Sequence, residues 1–418
     1  MKTRLFAVYI AALVSILVSA SGALAATAAA TMGNYVVVLN DDVTDPATLA
    51  AQQVKSLGGK LGFIYQYAFK GYSASLPNAS LPTLQADPTV NYVMADHDRA
   101  VAISAQTLPT GIDRIDGELS STVSGDGGGS VNVDVAVIDT GINLSHPDLN
   151  VVGGRDCVTP AAPTLDDLNG HGTHMAGVIA ARDDGQGVVG VAPGARLWSV
   201  RVADAGGFAT FAQAICGIDF VTANAATIEV ANISLEGSGT DPGSGCRTRD
   251  AFHDAICSSV KAGVTYTVAA GNSGRDAAAT IPAAYDEVIT ASGLADFDGK
   301  PGGLAAPTCE FDGDDSFYNQ SNFGADVDLI APAVCIVSDS LTVVDPVTGL
   351  PTPTYATLTG TSVASAHAAG AAALAKSRAP KATPSQVAHG LQAAGNANWS
   401  NADDPDGIKE PLLNVDTL

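Results

Sequence analysis

Basic residues are scarce in this chain. Twenty Lys and Arg stand against 43 Asp and Glu among 418 residues, for a formal net charge of −23. Such a chain repels nucleic acid and anionic membranes, so neither is expected as a partner, and the acidity reads as a device for solubility. Beyond the first 20 residues there is no apolar run long enough to compete as a membrane span. Cysteine is missing from the first 150 residues, and no C-x-x-C pair or Cys/His cluster at zinc spacing occurs anywhere, which argues against a zinc module. The triplet Asp139-Thr140-Gly141 has no second D-T-G or D-S-G to pair with. That argues against aspartic-protease chemistry, which needs two carboxylates sharing a proton.

What is present begins with an export signal. Lys2 and Arg4 precede an apolar run from Leu5 to Ala20 and the small-residue site Ala23-Leu24-Ala25. This describes a cleaved secretory signal over residues 1–25, so the mature protein is expected to be soluble and secreted. The six cysteines are Cys157, Cys216, Cys246, Cys257, Cys309 and Cys335, an even number that favours disulfides in an exported chain and leaves fifteen pairings open. Cys246–Cys257 is the preferred pair because it closes one short loop leading into a helix, worth roughly 3 kcal/mol by chain entropy. Cys309–Cys335 and Cys157–Cys216 then follow by elimination.

Residues 34–98 read as a small unit of their own: strands at 35–39, 60–67, 71–76 and 90–94, helices at 46–57 and 81–86, with Thr44 or Asp45 capping the first helix. The order βαββαβ is the α+β ferredoxin-like arrangement. Residues 99–106 form a connector. The remainder, 107–418, alternates apolar strands (131–138, 196–202, 229–235, 264–269, 287–291) with helices (172–182, 209–225, 248–262, 362–378). The Gly-rich stretch Gly125–Ser130 is read as a loop inside this second unit. Continuous apolar strands separated by helices specify an α/β fold, a parallel sheet covered on both faces, whose working residues collect at the carboxyl ends of strands.

Chemistry-bearing residues fall at those ends. Val135–Asp139 ends a buried strand on a carboxylate; Asn169-Gly170-His171-Gly172-Thr173-His174 places a histidine before an apolar helix. Ala270-Gly271-Asn272-Ser273-Gly274 follows another strand, and Gly360-Thr361-Ser362 delivers a serine to the start of an alanine-rich helix. Each has an ordinary reading: Asp139 in a turn, His171 as a half-buried histidine, Asn272 as a turn residue, Ser362 as an N-cap. Together they supply an acid, a base, an amide donor and a nucleophile in the chain order Asp, His, Asn, Ser, and a helix start offers N–H groups to a developing oxyanion.

Around these residues the chain from about 106 to 395 resembles the subtilisin-like serine proteases. The matching blocks are Asp139-Thr140-Gly141-Ile142 with His146-Pro147-Asp148-Leu149, His171-Gly172-Thr173-His174 with Gly190-Val191-Ala192-Pro193, and Gly360-Thr361-Ser362 with His367 and Gly370. Residues 34–98 resemble the inhibitory propeptide of the same family. The resemblance implies a secreted serine endopeptidase with Asp139, His171 and Ser362 as its triad and Asn272 in the oxyanion hole. It needs no catalytic cofactor and acts on protein or peptide substrates, as a monomer. Its own propeptide serves as intramolecular chaperone and inhibitor, and self-cleavage falls between about Ala100 and Gln106. A non-catalytic binding module is the rival, but inactive relatives lose a triad member and all are present here.

The resemblance also implies a cleft in which a peptide adds as a strand between Gly207-Phe208-Ala209 and Ser234-Leu235-Glu236-Gly237, beside Gly271. Glu236 and Phe208 depart from the family's small residues, and Glu236 suggests a preference for basic side chains. Val363, Ala366 and Ala333 depart from the usual methionine, proline and glycine without removing a catalytic group. A stabilising calcium ion is implied at Asp148 and Asp184, with main-chain oxygens of Arg182, Gln186 and Val188. Asp312-Gly313-Asp314-Asp315 is a weaker second candidate. His174 is read as structural.

Overall fold

The computed structural model describes residues 32–40, 42–67, 69–95, 106–309, 313–344 and 351–418. The export signal, the stretch 100–105 and Asp312 lie outside them. The described residues fall into two compact units, 32–95 and 106–418. Among them no helix is long and apolar enough to cross a membrane.

In the first unit, β1 (Met32–Leu39), α1 (Pro46–Ser56), β2 (Lys60–Tyr65), β3 (Gly71–Pro77), α2 (Leu81–Gln85) and β4 (Val90–Ala95) form an antiparallel sheet of order β2-β3-β1-β4. This is the ferredoxin-like order. Val37, Leu39, Tyr72, Ala74 and Leu76 alternate inward from the sheet and meet Ala50 and Val54 of α1. Asp45, not Thr44, caps α1, accepting the Thr48 N–H at 3.0 Å.

The second unit starts with α3 (Thr110–Arg114), β5 (Asp134–Asp139), β6 (Val151–Asp156), α4 (His171–Ala180), β7 (Arg196–Arg201), α5 (Phe211–Ala223) and β8 (Val230–Ile233). It continues with β9 (Gly237–Ser238), α6 (Ala251–Lys261), β10 (Thr265–Ala269), β11 (Thr280–Ile281), β12 (Ile289–Ala295), β13 (Ser316–Phe317) and β14 (Leu329–Pro332). Last come β15 (Ile336–Asp339), β16 (Val343–Val344), β17 (Pro351–Thr352), β18 (Tyr355–Leu358), α7 (Thr361–Arg378) and α8 (Pro384–Ala394). The main sheet runs β13-β12-β10-β8-β5-β7-β6 with β14 beside β12, parallel except for β13.

Two apolar layers explain why the strands read as unbroken hydrophobic runs. Val135 and Val137 of β5 face the layer containing Met175 and Ile179 of α4 and Ala368 and Ala371 of α7, while Ala136 and Ile138 face Ile218 of α5 and Ile256 of α6. All three expected disulfides are present: Cys157–Cys216, Cys246–Cys257 and Cys309–Cys335. The Gly-rich loop lies within this unit, with the main-chain N–H groups of Gly125 and Gly127 donating to the two oxygens of buried Asp183.

Some boundaries differ from the sequence reading. β5 starts at Asp134 rather than Val131, β12 runs on to Ala295, and α6 starts at Ala251 rather than Thr248, because Asp250 caps it through the N–H groups of Phe252 and His253. β6, β14 and α8 are additional elements. α8 carries a capping box in which Thr383 and Gln386 hydrogen-bond each other's main chain.

Candidate active site

The parallel register brings the carboxyl ends of β5, β8 and β10 side by side, with Ile138 opposite Ile233 and Ile233 opposite Val268. The residues that follow, Asp139, Ser234 and the turn Ala270–Gly274, therefore emerge along one edge about two strand spacings wide. Helices α4 and α7 start at the same edge.

Asp139 is fully buried, and its carboxylate oxygens lie 2.8 and 3.0 Å from His171 Nδ1. Oδ1 also accepts the Thr140 N–H at 2.7 Å. A carboxylate accepts only, so His171 Nδ1 carries the proton, which leaves Nε2 of the neutral ring as an acceptor. Burial opposes a charged His171, but the charge and hydrogen bond of Asp139, assisted by Asp167, outweigh it and hold its pKa above the ordinary value. Gly170 caps α4 at φ +108°, a left-handed conformation that turns the chain sharply into the helix at His171.

Asp167 is the residue of this turn that the sequence reading missed. It is buried; Oδ1 accepts Thr140 Oγ1 at 2.9 Å and the N–H groups of Asn169 and Gly170, while Oδ2 accepts the N–H and hydroxyl of Thr173. One side chain thus ties the loop after β5 to the start of α4.

Ser362 is the second residue of α7. Gly360, not the serine, is the N-cap, so Ser362 does not cap the helix. The Ser234 hydroxyl donates to the Ser362 main-chain oxygen at 3.1 Å, fixing the helix start against β8. Ser362 Oγ points at the Ser234 carbonyl from 3.5 Å, longer than an ordinary O–H···O bond, and no hydrogen bond joins it to His171. Nucleophile–base contacts of this kind are commonly loose until substrate is bound. Asn272 Oδ1 accepts the Thr361 N–H at 2.8 Å and the Thr361 hydroxyl at 3.2 Å. The amide is thereby oriented, with both its ends beside Gly360 at the start of α7. His174 and His367 are wholly buried, bonded to the carbonyls of Ile336 and Val363, with pKa values lowered by burial to about 3 and about 4. Both are neutral at working pH, as the structural reading of His174 requires.

Two segments flank this edge. In Gly207-Phe208-Ala209, Gly207 has φ +80° and Phe208 is exposed; Asp204 Oδ1 holds the loop by accepting the N–H groups of Gly206 and Phe208. In Ser234-Leu235-Glu236-Gly237, Gly237 begins β9, which pairs with β11. The Phe211 ring, at the start of α5, lies over Gly237, where an added Cβ would come within 2.9 Å of it. Glu236 Oε2 accepts the Asn272 N–H at 3.1 Å and crowds Gly271, whose φ of +108° leaves no place for a side chain.

The Arg182–Val188 loop curls around the buried carboxylate of Asp148. Val188 N–H and the Tyr355 hydroxyl each donate to Asp148 Oδ2 at 3.2 Å, and a side chain at Gly187 would fill the space beside that oxygen. Asp184 is exposed and accepts the Gln186 N–H. Gln106, absent from the expected set, bonds the Arg182 carbonyl and the Gly185 N–H through its side chain. Its main chain, with that of Thr107, pairs with Gly185 and Gly187. The carboxylates of Asp148 and Asp184 are hard oxygen donors of the kind calcium takes, and Gly187 of the loop leaves room beside Asp148 Oδ2. In the described part of the second acidic stretch, Asp314 accepts the N–H groups of Phe297 and Ala305 and lies close to Asp296 and Asp298, while Asp315 binds Arg114 and the N–H groups of Gly302 and Gly303.

Known proteins agree with this arrangement. The subtilase family profile matches residues 130–406, and that of the peptidase inhibitor I9 family matches 34–102. The chain is 35% identical over 366 residues to an extracellular serine proteinase of Thermus sp. (strain Rt41A), covering 84% of this chain and 78% of that protein. It is 35% identical over 319 residues to subtilisin DY of Bacillus licheniformis, covering 75% and 98%. A crystal structure of a cold adapted subtilisin-like serine proteinase superposes with a TM-score of 0.55 at 30% identity, over 73% of this chain and 97% of that one. The fold is that of a subtilisin-like serine proteinase. The chain belongs to the subtilase family and carries an I9-type propeptide segment ahead of its proteinase region. Subtilases need no cofactor for catalysis.

Proposed function

We propose that this chain is made as a secreted precursor: an export signal at 1–25, an inhibitory propeptide at 34–98, a cleavable connector at 99–106, and an endopeptidase at 107–418. In the mature enzyme Ser362 attacks the scissile carbonyl while His171 Nε2 takes its proton, later giving it to the leaving amine. Asp139 holds the imidazole in the required tautomer and stabilises the imidazolium. Asn272 Nδ2 and the Ser362 N–H receive the oxyanion. Each such donor is typically worth about 3–4 kcal/mol of transition-state stabilisation. The observation that carries this reading is the Asp139–His171 hydrogen bond at 2.8 Å, at the strand edge where Ser362 is clamped by Ser234.

A substrate strand lies between Gly207-Phe208-Ala209 and Ser234-Leu235-Glu236-Gly237, passing Gly271. The Glu236 carboxylate, already turned toward Asn272, favours basic side chains there. Calcium is held by Asp148 and Asp184 with carbonyls of Arg182, Gln186 and Val188, and Gln106 joins them by turning its amide oxygen inward. Because Gln106 is engaged with that loop, the maturation cut falls on its N-terminal side.

Expression of Ser362→Ala tests the precursor reading. An uncut chain retaining residues 34–105 is expected; normal processing in pure protein would refute self-cleavage.

A further inference from the structure

Three buried side chains that the proposed chemistry does not use meet in the interior of the second unit. His146 and Asp148 lie on the loop after β5, and Asp339 ends β15, in register with Tyr355 of β18. All three are buried, and one ligating atom from each lies within 4.8 Å of the other two. His146 Nδ1 is 3.6 Å from Asp339 Oδ1, both side chains being wholly inaccessible.

The hydrogen-bond pattern makes this contact unfavourable as it stands. His146 Nε2 lies 3.2 Å from the Thr354 carbonyl, which can only accept, so Nε2 carries the proton. With Nε2 protonated toward that carbonyl, Nδ1 of the neutral ring presents a lone pair. That lone pair faces a carboxylate, and neither Nδ1 nor either Asp339 oxygen has a hydrogen-bond partner. Asp148 adds a second carboxylate. Asp148 Oδ2 has donors in Val188 N–H and the Tyr355 hydroxyl, but His146 Nδ1 and both Asp339 oxygens are buried acceptors without one, which is costly unless a cation joins them.

We propose that His146 Nδ1, Asp148 and Asp339 bind a divalent cation of the zinc class, in a structural centre that adjoins the calcium loop through Asp148. Two carboxylates balance the ion's charge, and an imidazole nitrogen with carboxylate oxygens suits zinc, whereas calcium takes oxygen ligands alone. The Thr354 carbonyl fixes the histidine's tautomer from behind, the usual outer-shell arrangement of a metal-bound histidine. Tyr355 packs edge-on against the ring at 5.6 Å and donates its hydroxyl to Asp148 Oδ2. The centre pins the β15–β18 hairpin, which leads directly into Gly360-Thr361-Ser362, to the loop that follows Asp139. Asp148 is shared with the calcium proposal, so the test must separate the two ions.

The test uses the whole mature enzyme, silenced with phenylmethylsulfonyl fluoride and kept in excess calcium. After zinc loading and gel filtration, about one zinc per chain is expected by elemental analysis. Cobalt loading is expected to give the visible bands of a nitrogen-ligated low-coordinate site. His146→Gln and Asp339→Asn should each weaken zinc binding by at least about tenfold, while the melting-temperature shift on calcium addition persists. Cobalt bands in the unmodified enzyme serve even where a variant fails to fold. An enzyme that retains neither ion, and whose melting temperature ignores zinc, would overturn the proposal in favour of a proton shared between Asp148 and Asp339. Undiminished zinc in both variants would overturn it by placing the ion elsewhere.

Discussion

The hydroxyl of Thr140 donates to Asp167 Oδ1 at 2.9 Å, joining the residue after the candidate acid to the turn that presents the candidate base. Because the same carboxylate also receives the main chain of Asn169, Gly170 and Thr173, it sets the angle at which His171 meets Asp139. Asp167→Ala leaves several buried donors unmet, each costing about 1–3 kcal/mol. The expected outcome is a melting temperature lower by several degrees together with reduced kcat, read by calorimetry and peptide hydrolysis. Loss of stability with kcat intact would show that the turn does not position His171.

The state of His171 predicts a pH profile. Catalysis needs the neutral imidazole, and Asp139 and Asp167 favour the charged one. The acid limb of kcat/KM is therefore expected above about 6.5, the ordinary histidine value. Asp139→Asn should lower the activity by about 10⁴ and move the limb to lower pH. A limb that stays in place would mean another group controls it.

Glu236 predicts specificity. Profiling against peptide libraries is expected to show enrichment of Lys and Arg near the cleaved bond, lost in Glu236→Gly. Unchanged preferences would remove Glu236 from the specificity determinants, leaving only its hydrogen bond to the Asn272 N–H.

Glu410 predicts a dependence of stability on pH. Burial, with Asp404 and Asp406 nearby, pushes its pKa up to about 8. The folded state holds this proton more tightly than the unfolded chain, whose glutamate titrates near 4.3. Its contribution is thus intact at acid pH and is lost as pH rises toward about 8. The melting temperature of Glu410→Gln relative to the parent should rise between about pH 5 and pH 9. A constant difference would contradict the assignment.

Calcium predicts a further change. With zinc kept in excess, a calcium-selective chelator should lower the melting temperature, and calcium alone should restore it; an unchanged transition would leave the Arg182–Val188 loop without an ion.

The readable parts of the sequence were those where local chemistry and local structure coincide. Apolar runs ending on Asp139 and Ala269, and glycine turns before His171 and Ser362, stand out because strand ends and helix starts leave marks within a few residues. β6 did not, since Gly153, Gly154 and Arg155 interrupt its apolar pattern at the sheet edge. β14 is a four-residue strand ending in Pro332. Asp167, Gln106 and the pairing of His146 with Asp339 were hidden for a different reason. Their roles arise from partners brought close only by the fold, and no spacing along the chain records that. Glu236 was visible as a departure, but its bond to Asn272 required the turn after β10.

In the proposed mechanism Ser362 is the nucleophile, activated by His171. The most direct measurement is mapping the adduct of a fluorophosphonate probe by mass spectrometry in the mature enzyme. A single adduct on Ser362 is expected, formed much more slowly in His171→Ala and absent in Ser362→Ala. A native enzyme that hydrolyses peptides but is labelled on another residue, or not labelled at all, would contradict it.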